Sequence, residues 1–259
     1  MKIGIVGVGH VGTIMSELFE SAYLYDEPKQ IGTKESINGC DLVFVCVPTP
    51  MGKEGQCDTS LIDYSLGWIE AGTIVIRSTV PVGYTEKLVI QTGKRILFQP
   101  EYYGETVAHP FSNPFNRTWI TIGGRREYYA PVIRAYEQVF TSELQFKLVD
   151  SNTAELAKYM ENSFLALKVT FCNEFYDIAN AMGVDYTELR ETWLMDPRIG
   201  RSHTFVYPDN RGFGGACLPK DIMSIVFQCD ERGVNSDLLK SVVSKNELIK
   251  LENHKRLIR

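Results

Sequence analysis

The segment Gly212-Phe-Gly-Gly-Ala-Cys217-Leu-Pro-Lys220-Asp221 combines a thiol, a cation and a carboxylate behind a glycine turn. A cysteine after Gly-Gly can expose its sulfur, and a nearby lysine favours the thiolate. A carboxylate four positions on can activate water against a covalent intermediate. The plainer alternative is a buried structural cysteine beside a helix start, which is the default for Cys46, Cys172 and Cys229. Lys158 and Asn162 stand at i, i+4 and project from one helix face, where a cation beside an amide donor can stabilise an oxyanion or hold a water. Taken alone, that pair fits a solvated helix face better. Gly7-x-Gly9-x-x-Gly12 follows an apolar run, and Asp26 ends the next one. Glycines there allow a tight turn and close backbone approach to a pyrophosphate at a helix N-terminus. The acid is placed to bond an adenosine ribose and to disfavour a 2′-phosphate, so the pattern predicts NAD rather than NADP. The competing reading is a glycine-rich turn with a surface aspartate. His10, inside the loop, reads as a spacer.

These groups need elements to hold them. Residues 1–149 alternate short β-rich runs with helical or loop stretches. The expected strands are Lys2–Val6, Ala22–Tyr25, Leu42–Val47, Thr73–Arg77, Arg95–Gln99, Trp119–Gly123 and Leu144–Val149. Most are apolar without alternation, as parallel strands buried on both faces are, which predicts an α/β domain with a Rossmann-like parallel sheet. Residues 150–259 read as an all-helical domain. Asn152-x-x-Glu155 resembles a capping box opening one long helix from Thr153 to Met182, and Gly183 stands at its C′ position. The helix is apolar on more than one stripe (Leu156, Tyr159, Met160, Phe164, Leu167, Phe171, Phe175), which predicts a homodimer built on it. Asp185-x-x-Glu188 opens a further helix, a loop runs from Asp196 to Lys220, and two more helices follow.

Composition removes several function classes. The 259 residues are 44% hydrophobic and 23% charged, ordinary globular proportions for two domains. A net charge of −5 and a pI near 5.5 leave no electrostatic footprint for nucleic acid or an anionic membrane surface. No apolar run approaches the roughly 20 residues of a membrane helix. The six cysteines form no CxxC pair, so neither a metal site nor a disulfide framework is expected. Together with the immediate strand at Met1-Lys-Ile-Gly-Ile-Val, this predicts a reduced, cytoplasmic chain.

Taken in order, further motifs join these: Gly7-Val-Gly-His-Val-Gly12, Val47-Pro-Thr-Pro50, Arg77-Ser-Thr79-Val-Pro-Val-Gly83 and Pro100-Glu101-Tyr-Tyr-Gly-Glu105. Glu155-Leu-Ala-Lys158-Tyr-Met-Glu-Asn162, Asp196-Pro-Arg198-Ile-Gly200 and the Cys217 segment follow. In this order they resemble the UDP-glucose dehydrogenases within the UDP-glucose/GDP-mannose dehydrogenase family. Arg198-Ile-Gly and Cys217-Leu-Pro-Lys-Asp are more similar to the UDP-glucose branch.

The resemblance implies an NAD-dependent oxidoreductase converting UDP-glucose to UDP-glucuronate in two hydride transfers, through a thiohemiacetal and a thioester on Cys217. It implies that Gly7, Gly9, Gly12 and Asp26 hold the adenosine end of NAD, with Ser78, Thr79, Glu105 and Lys220 along the rest of the cofactor. By the same resemblance, Glu101 and Thr79 assist proton transfer, Lys158 and Asn162 stabilise oxyanions, and Asp221 supports hydrolysis. Tyr102, Arg198, Phe213 and Gly214 would meet the substrate, Arg198 in the neighbouring subunit. Relatives carry a third, nucleotide-sugar-binding domain beyond the point matching Arg259, so a separate chain supplying it is an expected partner. Arg201 or Arg211 could meet a phosphate or be exposed loop charges. Two other readings stay open. A two-electron β-hydroxyacid dehydrogenase shares the Lys-x-x-x-Asn pair but has no need of Cys217. A non-catalytic subunit would need a partner domain.

Overall fold

A computed structural model describes residues 1–104, 112–140 and 144–257. The chain divides into two compact units: Met1–Gly52 with Cys57–Lys158, and Lys53–Gln56 with Tyr159–Arg259.

The first unit is built on seven strands, β1 (Ile3–Val6), β2 (Tyr23–Tyr25), β3 (Leu42–Val45), β4 (Thr73–Ile76), β5 (Ile96–Phe98), β6 (Trp119–Gly123) and β7 (Gln145–Val149). Their order is β2-β1-β3-β4-β5-β6-β7, with β2 to β5 parallel throughout. β6 runs antiparallel to β5 and carries β7 parallel to itself. The four residues of β1, β3 and β4 are buried throughout, as expected of parallel strands covered on both faces. β7 differs: its expected continuous burial gives way to an exposed pattern because it is the sheet edge. Helices α1 (His10–Leu18), α2 (Lys34–Asn38), α3 (Ser60–Trp68), α4 (Tyr84–Thr92) and α5 (Tyr129–Glu137) flank the sheet. One apolar layer joins Ile5, Phe44 and Leu97 to Met15 of α1 and Tyr136 of α5. The other joins Val43, Val45 and Ile74 to Ile37, Ile62 and Leu88 of α2, α3 and α4. Because β1 has β2 on one side and β3 on the other, the chain reverses direction across the sheet at β1. That is where α/β sheets open a crevice at the carboxyl ends of their strands.

Helix α6 (Ser151–Ala181) starts two residues before the expected Thr153. The capping-box reading is corrected by its partners. Asp150 caps the helix, accepting from the backbone N–H and hydroxyl of Thr153 at 2.9 and 2.6 Å. Glu155 turns away and accepts from the backbone N–H groups of Gly83 and Thr85 at 2.6 and 2.9 Å. It therefore satisfies backbone donors at the α4 N-terminus rather than those of its own helix.

In the second unit α6 continues from Tyr159 to Ala181, and Gly183 follows with a φ of +70° that suits glycine. Helix α7 (Tyr186–Trp193) opens on Asp185, which accepts from the N–H of Glu188 as expected. Helices α8 (Leu218–Glu231) and α9 (Asp237–Leu257) follow, and Ala166, Phe213, Ile222 and Val242 form the core. On α6, Leu156, Met160, Phe164, Phe171, Phe175 and Ile178 are exposed, spaced along the helix by three, four or seven residues.

Candidate active site

Three loops at the carboxyl ends of β1, β2 and β3 form the first cluster. Gly7 has φ +86°, and a Cβ there would lie 2.9 Å from the backbone of Cys46 and Val47. A Cβ on Gly12 would meet the Gly7 carbonyl oxygen at 1.9 Å, so the contact between α1 and the β1 loop requires glycine. A Cβ on Gly9, by contrast, meets nothing within 4 Å. Gly9 is the N-cap of α1 and no side chain caps the helix. Open space in front of backbone donors suits a pyrophosphate, so the glycine loop fits a dinucleotide. Asp26 lies at the end of β2 and accepts from the backbone N–H of Val8 at 2.8 Å and of Lys29 at 3.1 Å. The Lys29 ammonium donates to the Val8 carbonyl at 2.5 Å. Sequence reasoning missed Lys29; its signal was a cation three residues past the acid. His10 is an exposed first residue of α1, as a spacer would be.

A second cluster stands at the ends of β4 and β5. Ser78 donates to the Val47 carbonyl at 2.5 Å, and the Thr79 carbonyl accepts from the Thr49 hydroxyl at 2.9 Å. Glu101 is held by the buried Arg77 guanidinium and by the backbone N–H groups of Tyr102 and Tyr103. Burial works against the Arg77 charge, but the Glu101 carboxylate together with Tyr136, Tyr103 and Cys46 outweighs it and keeps Arg77 protonated more firmly than usual. Arg77 was read only as part of a motif, although it is the ion-pair partner of Glu101. The Lys158 ammonium lies 4.9 Å from the centre of the Tyr102 ring, and Arg117 lies 5.2 Å from it. Glu105 lies outside the described residues.

The third cluster belongs to the second unit. Cys217 is exposed at the N-cap of α8, and its carbonyl accepts from the N–H of Asp221 one turn on, at 2.9 Å. The buried-cysteine alternative is thereby overturned. A helix N-terminus favours negative charge at that position. Cys46 gives the contrast, since burial pushes its thiol up to about 12. Asp221 is 1% exposed. It accepts from the Asn162 amide at 2.5 Å on one oxygen and from the Lys220 ammonium on the other. Lys220 thus spends its charge on the carboxylate next to it. Lys158 and Asn162 keep their i, i+4 spacing on α6, and both are buried, not on a solvated face.

The remaining expected residues fall apart by environment. Arg198 is exposed and pairs with Asp196, Phe213 is buried and Gly214 is exposed. Arg201 pairs with Glu191. Arg211, expected as a loop charge or phosphate contact, is 2% exposed, ion-paired with Asp177 and bonded to Asn173. A buried arginine so engaged is a structural cross-link.

The glycine loop at the switch point and the thiol–carboxylate–amide cluster on helices define a Rossmann-like unit followed by a helical unit that carries an exposed thiol. Residues 29–142 match the NAD binding domain of the UDP-glucose/GDP-mannose dehydrogenase family, and residues 152–248 match its central domain. The chain belongs to that family. It is 33% identical over 235 residues to the UDP-glucose 6-dehydrogenase of Pseudomonas aeruginosa, a match covering 82% of this chain and 49% of that protein. The UDP-glucose 6-dehydrogenase of Rickettsia prowazekii is 29% identical over 220 residues, 80% of this chain and 49% of that one. The chain therefore spans about half the length of the curated relatives it matches. The structure of a UDP-glucose dehydrogenase from Pyrobaculum islandicum superposes with a TM-score of 0.83 at 25% identity, over 95% of this chain and 68% of that one. A UDP-D-ManNAc dehydrogenase from Pyrococcus horikoshii shares the fold, with a TM-score of 0.78 at 22% identity, over 96% of this chain and 69% of that one. Among the described residues no helix is long and apolar enough to cross a membrane.

Proposed function

We propose that this chain oxidises a nucleotide sugar at C6, with UDP-glucose as substrate and UDP-glucuronate as product, using NAD. The observation that carries the reading is the exposed Cys217 at a helix N-terminus, one turn before a buried Asp221 held by Asn162. When bound, NAD supplies the hydride acceptor for both oxidations. Gly7, Gly9, Gly12, Asp26, Ser78, Thr79, Glu105 and Lys220 are the residues proposed to hold it. Glu101 and Thr79 draw the proton from the sugar hydroxyl, directly or through a water. Lys158 and Asn162 stabilise the negative charge that develops on oxygen. The Cys217 sulfur adds to the C6 aldehyde, and the resulting thiohemiacetal can lose a second hydride that a free aldehyde cannot offer. Asp221 then removes a proton from the water that attacks the thioester carbon; the C–S bond breaks and Cys217 leaves as thiolate. Tyr102, Phe213, Gly214 and the Arg198 of a neighbouring copy line the substrate.

We infer a homodimer built on the exposed stripe of α6 and a cytoplasmic location, where thiols stay reduced. The test of the reading is Cys217→Ser. It should stop acid formation by about three orders of magnitude or more while NAD binding persists. Uronic acid made at the parental rate by this variant would sink the proposal.

A further inference from the structure

The Gly212–Cys217 segment changes character halfway. Arg211 and Phe213 are buried and Gly212 is half-buried, whereas Gly214, Gly215, Ala216 and Cys217 are exposed. Gly215 has φ +74°, a conformation that side-chain-bearing residues rarely adopt. The exposed stretch is therefore a short arm whose origin is fixed by whatever holds residues 211–213.

Two asparagines on different helices hold them. Asn246, in the middle of α9 and 5% exposed, accepts from the Phe213 N–H at 2.7 Å. Its amide donates back to the Phe213 carbonyl at 3.1 Å. One side chain thus satisfies both backbone groups of a single residue, in the manner of a paired strand. The fit is close: a Cβ on Gly212, whose φ is +82°, would stand 2.5 Å from the Asn246 oxygen. From α6, Asn173 accepts from the Gly212 N–H at 3.3 Å and from Arg211 Nε at 3.2 Å.

We propose that Asn246 is a positioning residue for Cys217. It fixes the origin of the arm so that the sulfur arrives at the N-terminus of α8 in one geometry. The role deepens the proposed function, resting on Cys217 as the nucleophile. A displacement of about 1 Å at a reacting atom can cost about a hundredfold in rate, so a clamp four residues away is within reach of the chemistry.

The test measures the thiol itself. The full chain is treated with iodoacetamide, and alkylation of Cys217 is followed by peptide mass spectrometry alongside circular dichroism and steady-state kinetics. Asn246→Ala should slow alkylation at least about threefold and lower kcat by about tenfold with a smaller change in KM. Asn246→Asp keeps the acceptor for the Phe213 N–H but loses the donor, so its alkylation rate should fall between wild type and alanine. That variant also serves if Asn246→Ala fails to fold. Leu239→Ala, which thins the apolar packing of α9 but removes neither Asn246 hydrogen bond, should lower the melting temperature and leave the alkylation rate unchanged. Folded Asn246 variants alkylated at the wild-type rate would overturn the proposal. So would an equal slowing in Leu239→Ala, which would reduce the effect to general loosening. If alkylation responds to Asn246 while Cys217→Ser still makes acid, the positioning stands and the nucleophile assignment falls.

Discussion

Asn162 on α6 and Asp221 on α8, 59 positions apart, meet in a buried hydrogen bond of 2.5 Å, the amide donating to the carboxylate. Lys220 takes the other carboxylate oxygen, so Asp221 has a cation and an amide as fixed partners one helical turn from Cys217. A carboxylate held in this way keeps one orientation through a reaction and needs little rearrangement to accept a proton. In the proposed mechanism Asn162 thereby has two tasks, facing an oxyanion and orienting the group that activates water.

Asp221→Asn should therefore separate the two halves of the reaction. Steady-state turnover is expected to fall by about a hundredfold or more, the usual worth of a general base. A first burst of NADH should survive, with Cys217 recovered as a covalent adduct by mass spectrometry. Loss of the burst together with turnover would place Asp221 before the thioester and not after it.

Asp26 should make NAD bind at least about tenfold tighter than NADP, equivalent to about 1.4 kcal/mol. Its carboxylate is anchored on Val8 of the glycine loop, so it cannot swing away from a 2′-phosphate without breaking that bond. Calorimetric titration with both cofactors reads the difference, and Asp26→Ser should narrow it. Equal affinities in the wild-type chain would mean that Asp26 does not face the ribose.

Phe164 is 59% exposed and Met160 75%, in the middle of the stripe on α6. Hiding such residues against a second copy would suit an obligate interface, which commonly buries about 2,000 Å² or more in total. Light scattering should give a dimer at micromolar concentration, and Phe164→Glu should give a monomer. A monomeric wild-type chain would refute the interface.

Glu155 carries a pH signature. Burial pushes its carboxyl above the ordinary 4.5, partly offset by the hydrogen bonds from Thr85 and Gly83. A carboxyl raised in the folded state favours folding fully below 4.5 and loses that contribution as pH rises through the raised value. Glu155→Gln keeps an acceptor for one of the two N–H groups. It should cost about 1 kcal/mol where the wild-type carboxyl is protonated. Urea denaturation from pH 4.5 to 8 should show the gap narrowing as pH rises; a constant or widening gap would contradict the shift.

What the sequence made legible was local. The glycine loop after β1, the Asp185 cap and the stop at Gly183 each depend on residues within one turn of one another. Glu155 was misassigned because a carboxylate at the N3 position can serve its own helix or another, and only tertiary packing brings the α4 N-terminus to it. Arg211 looked like a loop charge because its partners Asp177 and Asn173 are more than 30 positions earlier. Asn246 carried no signal, being a common polar residue in a helix whose partner Phe213 lies 33 positions away. Cys217 was legible because glycines and charges around a thiol are unusual in a buried setting. The pairing of Lys220 with Asp221 was not, because adjacent residues share a helix turn in many rotamers and only one brings the ammonium to the carboxylate.

The most direct measurement is stoichiometric. Purified chain is incubated with UDP-glucose and NAD; NADH is followed by absorbance and UDP-glucuronate by mass spectrometry. Oxidation through a thioester on Cys217 should give two NADH for each acid formed, with acid formation abolished by prior alkylation of Cys217. One NADH per oxidised product in the untreated chain, with no acid formed, would contradict the cysteine route and favour a two-electron alcohol dehydrogenase.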